Sequence, residues 1–228
     1  MTTHAIPAPP QISLPIAGTS TRFPVRRIFC VGRNYAEHAR EMGNDEREPP
    51  FFFTKPADAL VEDRATIPYP PATHDLHYEA ELVVAIGTGG AAIPEAEAEA
   101  HIWGYAPGND LTRRDLQAEA KAMKRPWDMA KGFDRSAVCG ALVPAPIAGH
   151  PAQGRLTCTV NGAVRQSADL AEMIWPVPAI IAHLSRLVEL RPGDLIYTGT
   201  PAGVGALQRG DSCSVAIDGL GQVTTRIG

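Results

Sequence analysis

The segment His77-Tyr78-Glu79-Ala80-Glu81-Leu82-Val83-Val84-Ala85-Ile86 sets two acids at alternate positions in a β-prone apolar run. In an extended strand alternate side chains share a face, so Glu79 and Glu81 point the same way, with Cα atoms roughly 6–7 Å apart. Tyr78, Ala80, Leu82, Val84 and Ile86 then form an apolar opposite face. Neighbouring carboxylates repel, and in a half-buried strand the repulsion costs stability unless a cation lies between them. Oxygen-only ligands suit a hard cation such as Mg²⁺, Mn²⁺ or Ca²⁺. A solvated strand face accounts for an E-x-E pattern as well. A third acid, Asp110, closes Gly104-Tyr105-Ala106-Pro107-Gly108-Asn109-Asp110 and could converge with the strand pair or serve a turn.

Two further groups bear on chemistry. His38 and Glu41 in Gly32-Arg33-Asn34-Tyr35-Ala36-Glu37-His38-Ala39-Arg40-Glu41-Met42 are three apart, neighbours on a helical face. A carboxylate beside an imidazole orients it and raises its basicity, as a general base requires, although a surface His–Glu pair has the same spacing. Lys131 stands in Trp127-Asp128-Met129-Ala130-Lys131-Gly132-Phe133, and a pocket lysine stabilises a developing oxyanion, while a snorkelling lysine is the commoner case. The glycine loop Thr198-Gly199-Thr200-Pro201-Ala202-Gly203 lacks the ending of a nucleotide-binding P-loop, yet its backbone could approach an anion closely. Three acids, a His–Glu pair and a lysine together point to a metal-dependent enzyme acting on a small 2-oxo acid.

The elements that must position these groups are many strands and few helices. Strands are expected at 25–31, 51–55, 77–86, 195–198 and 212–217, with a strand or loop at 103–109 and a hairpin over 157–164 turning at Asn161-Gly162. Helices are expected from about 34 to 42, over 95–101, over 112–124 with Thr112 as cap and Asp115 three residues on, and over 178–190. In the last of these, Ile180, Ile181, Leu184, Leu187 and Val188 share a stripe and His183 flanks it. Twenty-one glycines and 21 prolines punctuate the chain, and strands and helices do not alternate regularly. The pattern predicts a β-rich α+β fold in which residues 25–228 form one domain. Residues 1–24, with five prolines, read as an extended arm that packs on the body or a partner subunit, or frays.

Composition removes other classes. The 228 residues carry 21 basic and 25 acidic side chains, a net charge of −4, with no basic run. That balance disfavours a nucleic-acid partner or an anionic membrane surface, and no apolar run approaches the roughly 18–20 residues of a membrane span. The arm lacks the basic start of a signal peptide. Cys30, Cys139, Cys158 and Cys213 are scattered, with no C-x-x-C pair, and read as buried thiols in a reducing, cytoplasmic compartment.

Six ordered blocks now bear on identity: CVGRNYAEHAREMG, FFFTKPADAL, HYEAELVVAIG, GYAPGNDLTRRDLQ, PWDMAKGFD and GDLIYTGTPAGVG. Through them the chain resembles the fumarylacetoacetate hydrolase family over about residues 25–228. The resemblance implies a mixed β-sandwich roll with a few short helices, a homodimer, and a divalent cation, most often Mg²⁺. It assigns Glu79, Glu81 and Asp110 as metal ligands and His38 and Glu41 as a catalytic dyad on a segment that often acts as a lid. It gives Lys131 the steadying of substrate charge, and Arg33, Arg114, Gln117 and Thr200 the substrate contacts. The additional metal-binding Asp and the N-terminal domain of long members are not visible, so the chain is similar to the short class. That class implies a small acylpyruvate substrate, such as fumarylpyruvate split to fumarate and pyruvate in gentisate-type catabolism. Oxaloacetate decarboxylation, isomerisation of related 2-oxo dicarboxylates, or a non-catalytic ligand-binding role would use the same residues.

Overall fold

The computed structural model describes residues 4–36 and 48–228. In chain order its strands are β1 (Ser13–Pro15), β2 (Arg22–Pro24), β3 (Arg27–Gly32), β4 (Phe51–Lys55), β5 (Leu60–Val61), β6 (Thr66–Ile67), β7 (Leu76–Tyr78), β8 (Ala80–Ile86) and β9 (Ile102–Asp110). They continue as β10 (Thr112–Arg113), β11 (Ala137–Cys139), β12 (Val143–Pro144), β13 (Arg155–Val160), β14 (Ala163–Asp169), β15 (Asp194–Tyr197), β16 (Gly205–Ala206), β17 (Ser212–Ile217) and β18 (Gly221–Ile227). The central sheet runs β4-β3-β15-β8-β9-β11-β5, with β12 beside β9, and a second sheet runs β14-β13-β17-β18-β6. This is the mixed, β-rich roll with few helices that the sequence predicts.

Strand β8 is buried along its whole length, so both of its faces are core. Leu82, Val84 and Ile86 share one core cluster with Leu156, Val160 and Val215 of the second sheet and Ile180, Ile181 and Leu184 of the helix Val177–Leu187. Val83 and Ala85, on the face of the two glutamates, pack with Ala106, Leu195, Tyr197 and Cys30. Leu14 and Phe23, from the β1–β2 hairpin, close that second layer. The proline-rich N-terminal stretch is thus held by a short antiparallel pair whose apolar residues enter the core.

Several local expectations change in three dimensions. The strand expected over 77–86 is two strands, β7 and β8, separated at Glu79. The short helix expected over 95–101 is present, as a 3-10 helix. Thr112 caps nothing: it lies in β10, its hydroxyl donates to the Asp110 carbonyl, and the helix Arg114–Ala122 begins after Arg113 without a side-chain cap. Asp115 instead accepts from the Thr73 hydroxyl and the His74 N–H, tying the helix start to the preceding loop. Leu187 is 69% exposed, because the helix ends there and its final turn leaves the core. Val188 falls just beyond that helix, and the His183 ring lies 4.9 Å from that of Trp175. Strand β18, absent from the sequence expectations, pairs with β17 across a short glycine-containing turn. The Asn161-Gly162 turn forms as expected, both residues at positive φ (52° and 80°) as a two-residue hairpin requires. All four cysteines are free and buried.

One buried acid away from the cavity secures the sheet. Asp194, fully buried at the start of β15, accepts from Arg26 at 3.1 Å, from Arg27 at 2.8 Å and from the Arg191 N–H at 2.9 Å. It joins β15 to the start of the parallel strand β3. Asp194→Ala is expected to cost about 3 kcal/mol, the low end for breaking a buried pair because both arginines keep solvent contact. Thermal unfolding should show a Tm lower by roughly 6–12 °C.

Candidate metal centre

The three sequence-selected acids converge. Glu79, Glu81 and Asp110 are buried, and each offers a carboxylate oxygen lying within 4.8 Å of the others. Register places them there: Ala80 pairs with Asn109 and Glu81 with Gly108, so the start of β8 lies against the end of β9. The break at Glu79 is held by one side-chain and one backbone bond. The Asn109 amide oxygen accepts the Glu79 N–H at 2.9 Å, and the Glu79 carbonyl accepts the Asp110 N–H at 2.8 Å. Gly108, opposite Glu81, has no room for a side chain: a Cβ there would come within 2.4 Å of Val83 and 3.0 Å of the Tyr197 ring.

Cations face these acids. Lys131, on the short helix Asp128–Lys131, donates to Glu79 at 2.6 Å and to Asp110 at 2.8 Å. Arg114 reaches the other Glu79 oxygen at 2.6 Å and the Gln117 amide oxygen at 2.7 Å. Lys55, fully buried, stands 2.7 Å from Asp110 Oδ1 and also donates to the carbonyls of Leu111 and Lys131. The sequence reading missed Lys55, although alternation in β4 carries the signal: Phe51 and Phe53 line the cavity, and the third residue of that face is Lys55. Burial alone would lower the Lys131 pKa, but Asp110 and Glu79 raise it, so the ammonium stays charged. Glu81 differs. Burial, then the Asp110 and Glu79 charges, push its pKa well above the usual carboxylate range, against the opposing Lys131 charge and the Gly199 N–H.

The loop after β15 forms the adjoining wall. Gly199, at φ 97°, donates its N–H to Glu81 at 2.7 Å, and a Cβ there would strike Asn34. Buried Asn34 bonds the Thr198 and Trp175 carbonyls and accepts the Trp175 N–H, pinning the Gly32-Arg33-Asn34 turn to this loop. Gln166 accepts the Ala80 N–H and donates to Thr200 Oγ1 at 2.8 Å and to the Pro201 carbonyl at 2.8 Å. Asn34, Asn109 and Gln166 went unread in the sequence because a lone amide carries no spacing signal.

These walls line a narrow cleft. Glu79, Glu81, Arg114, Gln117, Lys131 and Thr200 all face it, with Arg33 at its side. Arg33 adopts a left-handed backbone (φ 61°), its guanidinium 5.2 Å over Phe51 and 3.7 Å from Glu48. Lys121 and Trp127 complete that side, the ammonium 5.1 Å over the indole. His38 and Glu41 lie outside the described residues.

The donor set fits a hard dication. Oxygens bound to one Mg²⁺, Mn²⁺ or Ca²⁺ at about 2.0–2.6 Å are at most about 4–5 Å apart, and the triad meets that limit. Asp110 Oδ1 is buried without a directed hydrogen bond, its Lys55 contact being ionic only. Without Lys55, Asp110 Oδ1 and two backbone carbonyls would lose a buried partner, and Asp110 would keep only Lys131. Lys55→Met is therefore expected to destabilise the fold by about 3–5 kcal/mol in chemical denaturation. Adding Asp110→Asn should recover part of that loss by removing a carboxylate left with one cation in place of two.

Comparison with known proteins matches this architecture. The C-terminal domain model of fumarylacetoacetate hydrolase covers residues 27–228. A fumarylpyruvate hydrolase from a Ralstonia species is 45% identical over 79% of this chain and 94% of its own. An oxaloacetate tautomerase of Escherichia coli (strain K12) is 39% identical over 92% of this chain and 96% of its own. The crystal structure of fumarylpyruvate hydrolase from Pseudomonas aeruginosa, in complex with Mn²⁺ and pyruvate, is 53% identical and superposes with a TM-score of 0.97 over 99% of both chains. Fold, motif blocks and acid cluster agree, and the chain belongs to the fumarylacetoacetate hydrolase family.

Proposed function

We propose that the chain is a divalent-metal hydrolase that splits the carbon–carbon bond of an acylpyruvate, fumarylpyruvate in particular, into fumarate and pyruvate. The observation that carries this reading is the buried Glu79–Glu81–Asp110 triad on the wall of a cationic cleft. The relation to the Ralstonia and Pseudomonas fumarylpyruvate hydrolases supports it. Glu79, Glu81 and Asp110 would hold the ion, which when bound supplies Lewis-acid polarisation of the 2-oxo-carboxylate end.

The chain's own groups do the rest. With all three acids ionised, as metal binding requires, Lys55, Lys131 and Arg114 offset their charge. A dication then makes it positive and suited to a dianion. Thr200 accepts from Gln166, so its own proton is available to a substrate carboxylate oxygen. His38, oriented by Glu41, takes a proton from water as the water oxygen bonds to the acyl carbonyl carbon. The bond from that carbon to the methylene breaks, and its electron pair goes to pyruvate as the enolate. The Lys131 ammonium offsets the charge that develops there, where a fixed donor acts most strongly.

A second reading is favoured by the 39% identity to the oxaloacetate tautomerase: proton transfer that interconverts enol and keto forms of a 2-oxo diacid. It uses the same centre and His38 but breaks no carbon–carbon bond.

Fumarylpyruvate mixed with the Mg²⁺- or Mn²⁺-loaded protein is expected to lose its enol absorbance and yield equimolar fumarate and pyruvate, and EDTA is expected to abolish this. Glu79→Ala should lose calorimetric Mn²⁺ binding. His38→Ala should keep it while kcat falls roughly 10²–10⁴-fold, the usual general-base contribution. Turnover of oxaloacetate enol without any cleavage of fumarylpyruvate would replace the first reading with the second.

A further inference from the structure

Four cations face the cleft: Arg33, Arg114, Lys121 and Lys131. Three of them have acids. Arg114 and Lys131 hold Glu79, Lys131 also holds Asp110, and Arg33 is 3.7 Å from Glu48. Among the described residues Lys121 forms no ion pair. Its ammonium rests over the Trp127 ring, half-buried, in the field of Arg114 and Arg33. Trp127 belongs both to this cleft and to the outer one beside it, which Arg125 and Asp128 also line. Glu81 and Thr200 face the inner cleft but not the outer. Lys121 lines the inner cleft with the triad, and its ammonium lies against Trp127, the residue that continues into the outer cleft.

We propose that Lys121 is a specificity-determining residue that binds the far carboxylate of the substrate, so that the cleft selects acyl groups ending in a carboxylate. The proposal rests on the acylpyruvate reading and deepens it. Among the described residues no acid is in contact with Lys121, Glu79 acting on it only at a distance, and a substrate whose 2-oxo-carboxylate end sits at the triad brings a carboxylate along the Trp127 wall. The planar faces of Trp127 and Phe51 suit an unsaturated chain between the two charged ends. Lys121 lies in the last turn of the helix Arg114–Ala122, where a cation also favours the helix dipole. That structural role would act alike on every substrate, so discrimination between substrates separates the two.

The test compares Lys121→Met and Lys121→Arg with the unaltered chain, loaded with Mn²⁺, on fumarylpyruvate and on acetylpyruvate, which lacks the far carboxylate. Lys121→Met is expected to lose about 10–100-fold in kcat/KM on fumarylpyruvate, mostly in KM, the factor a charge-assisted hydrogen bond provides. On acetylpyruvate it should change by less than about threefold, and Lys121→Arg should retain most of the preference. Equal losses on both substrates, or none, would overturn the proposal. An unaltered chain that cleaves neither substrate would remove the acylpyruvate reading instead. Calorimetric binding of fumarate against crotonate to the Mn²⁺-loaded chain then decides the role of Lys121: the Met variant must weaken fumarate alone, and equal binding of both acids by both proteins overturns it.

Discussion

Three buried carboxylates with oxygens inside 4.8 Å of one another are the constraint on which this molecule is built. At an effective dielectric near 20 each like-charged pair at that separation repels by roughly 3 kcal/mol. A fold of ordinary stability cannot carry several such terms without opposing charge. The opposing charge is present as Lys55, Lys131 and Arg114, each in direct contact with an acid. The resulting centre is dense in oxygen donors and suited to a dication.

The backbone around the acids is arranged to hold them. A sheet buried on both faces gives β8 and β9 a fixed register, and that register sets Glu81 opposite Gly108, beside Asp110. The break between β7 and β8 would leave polar backbone unpaired, and Asn109 and Gln166 satisfy it with side-chain amides. The same Gln166 reaches Thr200, and Gly199 reaches Glu81, so the strand that carries Glu81 and the Gly199–Thr200 loop are tied together. Preorganisation of this kind places donors and charges before a reaction begins, which is where enzymes gain most from electrostatics.

Buried ion pairs secure the central sheet both at the cleft and away from it. Asp194 and its arginines secure the start of β15, while the following end of that strand leads into the Thr198–Thr200 loop at the cleft. Aromatic residues of β4 line the cleft wall, and the next residue on that face, Lys55, turns inward to Asp110. One strand thus supplies both the apolar wall and a buried counter-charge.

The sequence alone determined the three acids and Lys131 in kind. The alternation at Glu79 and Glu81, the strand-end Asp110 and the Asn161-Gly162 turn are local patterns, because strand period and turn chemistry act over a few residues. The six motif blocks fixed the family, since ordered blocks across the chain survive changes elsewhere. Only the tertiary structure decided that Glu79 interrupts its strand, that Lys55 is an ion partner of Asp110, and that Asn109, Gln166 and Asn34 tie distant loops together. Those facts depend on register and on contacts up to 164 residues apart in the chain. A side-chain amide or a lone lysine has the same local signature whether it faces water or a buried carboxylate. Its role is set by what the fold brings against it.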